Sequence, residues 1–481
     1  MRLQSNYLVP VFFGLWCCIA IVAIWQFQVG ENDASAALTA AVVLLTSLTF
    51  SKTVLGLSLG TAPMLYLALC GLFHLGVAVP WALGIYDISH TPGFSPHGLS
   101  RALALITYSI VVYQVGLFVA LGGGKYQWIG APEGGQELEN SGIFAAGNLL
   151  FLAGAAMFVI GLIQLESIGY GRLTYSETFR LRAESDPRFF GTGVTVGFIG
   201  LCLTAAGAPR RLMRVTYLYV GLWLSTLFYL GFRCPALTGA LLVYIVALKK
   251  GIRFPKWGPW AAVGLLLVTV PIVRIVREEP LSLQSLGTSL REINLLDGPA
   301  EVGSALRPLA ETIDIIGPGT YRYGRTYLAA IRGIFPNLAL RWEAPTESID
   351  DLPPDHWITA IVDPWSYKNH EGIGFSGIAE PYMNFGIAGV VVFFFVLAVL
   401  LVRLDQVSIR TPYGLASWAL VIGPLLWTTR NDFAEFFRPV VWGLLCLASI
   451  PVFSFGHNLI RRPALRDVTN AKARTRAVRQ V

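Results

Sequence analysis

Twelve apolar runs divide this chain, each about 15 to 27 residues long, the length an α-helix needs to cross the hydrocarbon of a bilayer. They cover 8–26, 36–53, 61–84, 99–121, 143–165, 191–207, 214–230, 234–248, 259–276, 376–402, 413–429 and 438–457. Backbone groups in lipid must pair within their own segment, so the runs are expected to be helices and the fold all-α. Only 14% of the 481 residues are charged, and the mean hydropathy is +0.59; a soluble domain carries about 25%. The expectation is a polytopic membrane protein with about 12 transmembrane helices. The first run follows a single basic residue and no cleavage pattern, so it reads as a retained span. Cys17, Cys18, Cys70, Cys202 and Cys446 lie in apolar runs and act as small hydrophobes. There is neither a disulfide framework nor a metal-type Cys/His spacing.

Orientation follows from basic residues in short loops. The loops 209–214 and 249–256, Arg403, Arg410 and the tail beyond Arg461 fall on one side, which reads as cytoplasmic and holds both termini. The chain then divides into 1–276 with helices 1–9, an outer segment 277–374, 375–457 with helices 10–12, and a basic cytoplasmic tail 458–481 beside anionic lipid. The outer segment holds seven Arg, one Lys and fourteen Asp or Glu, a formal charge of −6, against +13 for the rest. So long a connection is expected to be structured. The pattern predicts helices over 281–296 and 308–316, a break at Gly317-Pro318-Gly319, a helix over 321–336, and irregular chain at Pro353-Pro354 and Asp363-Pro364.

Several arginines break the charge rule. Outer loops carry Arg172, Arg180, Arg182 and Arg188, then Arg233, then Arg430 and Arg438, and no Lys accompanies them. Arg is always charged, and its planar fork grips phosphate oxygens in pairs. Such residues beside hydrocarbon point to an anionic lipid-linked ligand such as a diphosphate. The plainer reading is local pairing, of Glu177 and Glu184 with the first group and of Asp432 or Glu435 with Arg430 or Arg438. Arg438 also suits snorkelling from a helix start. Arg233 has no acid within its own turn.

One acid stands in an apolar run. Glu380 sits in the opening turns of 376–402, and in a helix Ser376, Glu380 and Asn384 would share one face. A carboxylate in hydrocarbon costs at least a few kcal/mol. The alternative is a wet helix N-terminus, where the dipole favours an anion.

The stretch Gly374-Phe-Ser-Gly-Ile-Ala-Glu-Pro-Tyr-Met-Asn-Phe-Gly386 resembles the G-x-S-x-x-A-E-x-Y-x-N-F-G stretch of the bacterial O-antigen polymerases, the Wzy-type oligosaccharide repeat-unit polymerases. Tyr323-Gly-Arg-Thr-Tyr327, Phe335-Pro336 and Gly231-Phe-Arg233 support the resemblance, as does the topology. Pro381 and Cys234-Pro235 depart from it, standing where a non-bending and a small residue are expected. The resemblance implies a GT-C-like glycosyltransferase of the bacterial inner membrane with one large, partly helical periplasmic loop and a periplasmic active site. Donor and acceptor would be glycans on undecaprenyl diphosphate. Membrane lipid and a chain-length regulator protein would be further partners. No metal, other cofactor or nucleic acid is implied.

The chemistry agrees with these residue types. A departing diphosphate needs fixed cations, a role for Arg233 and Arg430, with Arg438, Arg180, Arg182 and Arg325 as further contacts. The acceptor hydroxyl needs a carboxylate or imidazole. Glu380 is the first candidate, His370 the second, and Asp355, His356 and Asp363 follow. Ser376 and Asn384 would support. Tyr321, Tyr323, Tyr327, Trp342, Trp357 and Trp365 are candidates for stacking on sugars or packing the loop onto the membrane. Two alternatives remain. An O-antigen ligase would lack the Ala-Glu-x-Tyr-x-Asn-Phe-Gly signature. A transporter would place its charges at mid-membrane in related halves.

Overall fold

The computed structural model describes residues 5–29, 33–86, 96–122, 124–126, 139–166, 188–229, 233–252, 297–334, 348–369 and 372–451, and every regular element among them is helical. The first group of helices is α1 (Ser5–Val29), α2 (Asp33–Thr53), α3 (Ala62–Leu75), α4 (Ala78–Ala82), α5 (Pro96–Ala120), α6 (Ser141–Glu166), α7 (Arg188–Gly207), α8 (Met213–Tyr229) and α9 (Arg233–Lys249). Five short helices follow: α10 (Asp297–Val302), α11 (Leu306–Ile315), α12 (Arg325–Arg332), α13 (Pro354–Val362) and α14 (Pro364–Lys368). The last three are α15 (Ala379–Ser408), α16 (Pro412–Trp427) and α17 (Phe433–Pro451).

Six of these, α2, α5, α6, α7, α15 and α17, contain stretches long and apolar enough to cross a membrane. Shorter apolar helices lie in α1, α3, α9 and α16. The expected span 259–276, the expected helix 281–296 and the tail 458–481 lie outside the described residues. The third expected span is not one helix. It divides between α3 and α4 where the 299–303 backbone packs on it, so close that a Cβ on Gly76 would lie 2.4 Å from the Pro299 carbonyl oxygen.

Glycine spacing fixes the tightest pair. Gly147, Gly154 and Gly161 recur every seven residues on α6, and Gly193, Gly200 and Gly207 do so on α7. Gly147 meets Thr204, Gly154 meets Gly197 and Gly161 meets Phe190, an antiparallel seam. A Cβ on Gly154 would lie 2.2 Å from the Gly197 nitrogen, so backbone touches backbone. In lipid, where apolar burial gives no drive, such close packing supplies the association. The other side of α6 shows Leu149, Leu152 and Ile163 outward, as lipid contact requires.

α15 is the central helix, with α5 packed along it. Its far end carries a buried ion pair, Lys249 Nζ to Asp405 Oδ1 at 2.7 Å, with both side chains wholly covered. Asp405 also accepts from Trp418 Nε1 at 2.9 Å, Tyr126 OH at 2.8 Å and the Ala62 N–H at 3.3 Å. Lys249 further donates to Ser408 Oγ at 3.0 Å. This knot ties the end of α9 and the start of α3 to α15 and α16. The neighbouring Lys250 reaches the Ala208 carbonyl at 2.7 Å, which puts the end of α7 there too. The opposite ends of these helices gather where α15 begins.

The segment before α15 corrects several expectations. The predicted helix over 321–336 starts only at Arg325. Tyr323 has φ 46° and Gly324 φ 84°, and the N–H groups of Arg322 and Tyr323 donate to the Met383 and Asn384 carbonyls at 3.0 Å instead of building a helix. Pro353-Pro354 and Asp363-Pro364 were expected to mark irregular chain but begin α13 and α14. Proline suits the first helical position, where no N–H is needed, and Asp363 caps α14 by accepting from the Ser366 N–H at 3.0 Å. Trp357, 2% exposed, is core and offers no stacking face.

Candidate functional site

α15 does not begin at Ser376 as the sequence pattern predicts. Its first helical residue is Ala379, so Pro381 falls in the first turn, where its missing N–H costs nothing, and does not bend the helix. The bend comes at Gly386, with φ 63° and ψ −151°, a conformation essentially reserved for glycine. There the chain turns so sharply that a Cβ on Gly389 would lie 2.3 Å from the Pro381 carbonyl oxygen. A short helical segment, 379–385, is thus set apart from the continuous apolar run 387–408. At 1.5 Å per residue that run still reaches about 30 Å, enough to span.

Glu380 stands on the short segment and is 3% exposed. Its Oε1 accepts from Thr326 Oγ1 at 2.8 Å, and its Oε2 accepts from the Phe433 N–H at 2.6 Å. Asn384, one turn on, donates to Thr326 Oγ1 at 2.7 Å and to the Glu380 carbonyl at 3.0 Å. Its Oδ1 accepts from the Gly324 N–H at 2.9 Å. Glu380 and Asn384 therefore share a helical face and clamp the start of α12. Ser376 lies outside that face, three residues before the helix. Its Oγ accepts from the Ile378 and Ala379 N–H groups at 3.1 and 3.3 Å, and it pairs with Nε2 of the buried His74 at 2.8 Å. His74 Nδ1 is bonded to the Cys70 carbonyl at 2.8 Å, so the ring donates there and accepts from the Ser376 hydroxyl.

The chain on the other side of Glu380 is the turn between α16 and α17. Gly377 lets the two approach, since a Cβ there would lie 2.4 Å from the Thr428 carbonyl oxygen. The Phe375 N–H donates to the Arg430 carbonyl at 2.8 Å. The half-buried Arg430 guanidinium has no hydrogen-bond or ion-pair partner among the described residues. The expected pairing with Asp432 or Glu435 does not form. Asp432 is 2% exposed, accepts from the Glu435 N–H at 3.2 Å, and lies beside Asp355 on α13. Burial, then the charge of Asp432, holds Asp355 well above the usual carboxylate range. Burial raises Asp432 as well. His356 Nε2 lies 3.7 Å from Asp355. Tyr327, from α12, stands edge-on to Phe433 with ring centroids 5.2 Å apart. Burial, then Glu380, pushes its hydroxyl pKa up.

The remaining candidates fall around this centre. Arg438 Nε donates to the Gly333 carbonyl at 2.7 Å, and Arg325 is exposed on α12 beside Thr326. Arg233 begins α9 at the same end of the bundle, since Thr238 in its second turn accepts from Trp427 Nε1. His370, Arg180, Arg182 and Trp342 lie outside the described residues. Among the described residues no cluster of His, Cys, Asp or Glu is arranged to hold a metal ion. Sequence reasoning missed His74, Thr326 and the Phe433 N–H. A lone histidine in an apolar run was the only signal for the first.

A bundle with membrane-length helices, carrying a buried carboxylate and an unpaired arginine where its central helix begins, is a polytopic membrane protein with a polar site at one end. The chain belongs to the family described as O-antigen polysaccharide polymerase Wzy, whose sequence pattern matches residues 8–457. It is also 27% identical to Protein CapE of Staphylococcus aureus over 258 residues, which make up 52% of this chain and 54% of that relative. The alignment thus spans about half of each. No solved structure matches the chain.

Proposed function

We propose that this protein joins lipid-linked oligosaccharide repeat units into a surface polysaccharide by glycosyl transfer at the periplasmic face of the bacterial inner membrane. The observation that carries the reading is Glu380, buried between Thr326 and the Phe433 N–H, with the unpaired Arg430 on the adjoining turn. The donor is a growing glycan on undecaprenyl diphosphate and the acceptor is the terminal sugar of a single lipid-linked unit. Glu380 orients the acceptor hydroxyl and takes its proton as the oxygen bonds to the anomeric carbon. The anomeric bond to the diphosphate breaks, and Arg430 and Arg233 hold the charge that develops on the leaving group. Arg438, Arg325, Arg180 and Arg182 are further contacts, and His370 is a second candidate base. Ser376 and Asn384 hold Glu380 in place. In this reading 277–374 is the periplasmic segment, 1–276 and 375–457 carry the spans, and 458–481 is cytoplasmic. A chain-length regulator protein is a further partner.

The glycan profile of a deletion strain tests the reading. Loss of a polymerase leaves single repeat units on the surface. Long chains accumulating on undecaprenyl diphosphate would instead make the protein a ligase, and unchanged long surface chains would remove it from this pathway.

A further inference from the structure

The cleft at Glu380 is closed. Tyr327, Gly377, Pro381, Thr428, Asn431 and Phe433 line it, and the free space is no more than about one water molecule needs. No sugar hydroxyl reaches Oε1 or Oε2 in this arrangement, so one wall must move for Glu380 to act on a glycan.

The wall most suited to moving is α12. Its inward residues are Thr326, which bonds Glu380, the buried Ala330, and Tyr327, which meets Phe433. It packs little against other helices and is held chiefly at its ends. One end rests on Asn384 and Met383. The other is held by Arg438 and by Trp442 Nε1, which donates to the Ile334 carbonyl at 2.8 Å. Those anchors stand in the opening turns of α15 and along the first half of α17, so α12 runs from the end of the bundle down beside the span of α17. Its entry is strained: Tyr323 sits at φ 46°, a region costly for a residue with a side chain, directly before Gly324 at φ 84°. A tyrosine outside its usual basin beside a glycine free to leave its own is a natural hinge.

The outward face shows what lies against it. Leu328 is 54% and Ile331 44% exposed, between the exposed Arg325 and Arg332. The helix carries no acid, and neither arginine has a partner among the described residues. Exposed Tyr323 and Phe385 continue the apolar surface from α12 towards α15, where Val392, Val396 and Leu400 face outward. Leucine and isoleucine suit hydrocarbon, and paired arginines suit the phosphate layer just above it.

We propose that α12 is a lid lying in the headgroup layer of the membrane, its outward face held by anionic lipid phosphate and acyl chains, and that it swings about Tyr323–Gly324 to admit a sugar hydroxyl to Glu380. The location is independent of the reaction; the gating role rests on the proposed glycosyl transfer.

The test has two arms on the full chain in a Cys17→Ser, Cys18→Ser, Cys234→Ser, Cys446→Ser background. In the first, Leu328→Cys carries an environment-sensitive fluorophore in reconstituted vesicles. The emission should shift to the blue in phosphatidylglycerol relative to phosphatidylcholine, and the shift should vanish with Arg325→Gln and Arg332→Gln. Water-like emission in both lipids, or a shift that ignores the arginines, overturns the location. This arm needs no polymerase activity, so its failure is distinct from failure of the proposed function. In the second, Tyr327→Cys and Phe433→Cys are bridged by a short reducible dithiol linker in membranes that hold accumulated lipid-linked units. Chain extension should stop when bridged and return on reduction. Extension that continues when bridged overturns the lid. If the unbridged pair is inactive, Gly333→Cys with Trp442→Cys replaces it with the same two outcomes.

Discussion

The Phe433 N–H donates to Glu380 Oε2 at 2.6 Å across 53 residues of sequence. This bond joins the short segment of α15 to the start of α17, and the Thr326 hydroxyl supplies the other oxygen at 2.8 Å. A carboxylate has about four acceptor positions. Two are filled and fix its orientation, which leaves two for a ligand hydroxyl. Glu380→Gln keeps the shape, and its amide can still accept from Phe433 and donate to Thr326. The variant should insert normally and bind lipid-linked glycan, yet fail to extend it. Wild-type glycan ladders from Glu380→Gln would make the residue structural.

Arg430 differs from Arg438 in having a free guanidinium. Arg430→Lys keeps the charge but loses the fork, so long glycan should be lost at normal protein levels. Arg233→Lys should behave the same way. The readout is chain length on a glycan gel against membrane-protein abundance. Full-length chains from either variant would take that arginine out of the site.

The Lys249–Asp405 pair predicts an asymmetry. Asp405→Ala takes this carboxylate away from a buried ammonium, and breaking a buried ion pair in this way costs about 3–5 kcal/mol. Tyr126 and Trp418 also lose their acceptor. Combining Asp405→Leu with Lys249→Met removes the charge altogether and should recover much of the loss. Thermal midpoints in detergent decide this, and a double variant no better than Asp405→Ala would refute it.

Asp355 and Asp432 predict a pH slope. Both hold protons more tightly in the folded chain than at the ordinary carboxylate pKa of about 4. Between that value and their raised folded pKa values the folded state carries the extra protons. Stability from this source therefore falls as pH rises through that window and levels off once both are ionised. His356 and Glu435 are the other titratable groups beside them. Asp432→Asn should flatten the dependence of the thermal midpoint on pH. An unchanged slope would show that the pair does not set it.

Much of the fold was legible because bilayer length and helix length are the same constraint. The placement of Glu380 in an opening turn and its shared face with Asn384 could be read from spacing. The glycine seam of α6 and α7 was present as two seven-residue series, but it has meaning only once the helices are known to face each other. The helices α13 and α14 were misread because proline breaks a helix from within and starts one from the first position, and composition does not distinguish the two. Thr326 and the Phe433 N–H were not legible. One is a common residue 54 positions from Glu380, and the other is backbone. The turn at Gly386 was hidden inside a run whose hydropathy continues without interruption.

The knot at Lys249 and Asp405 also has a history in time. The ribosome makes the lysine 156 residues before the carboxylate that neutralises it. Until α15 is synthesised and inserted, the ammonium at the end of α9 lacks the carboxylate it meets in the finished bundle. Closure of that end of the bundle is therefore a late event of biogenesis. A nascent chain stalled before Asp405 would leave this knot untied and present it in that state to whatever machinery surveys unfinished membrane proteins.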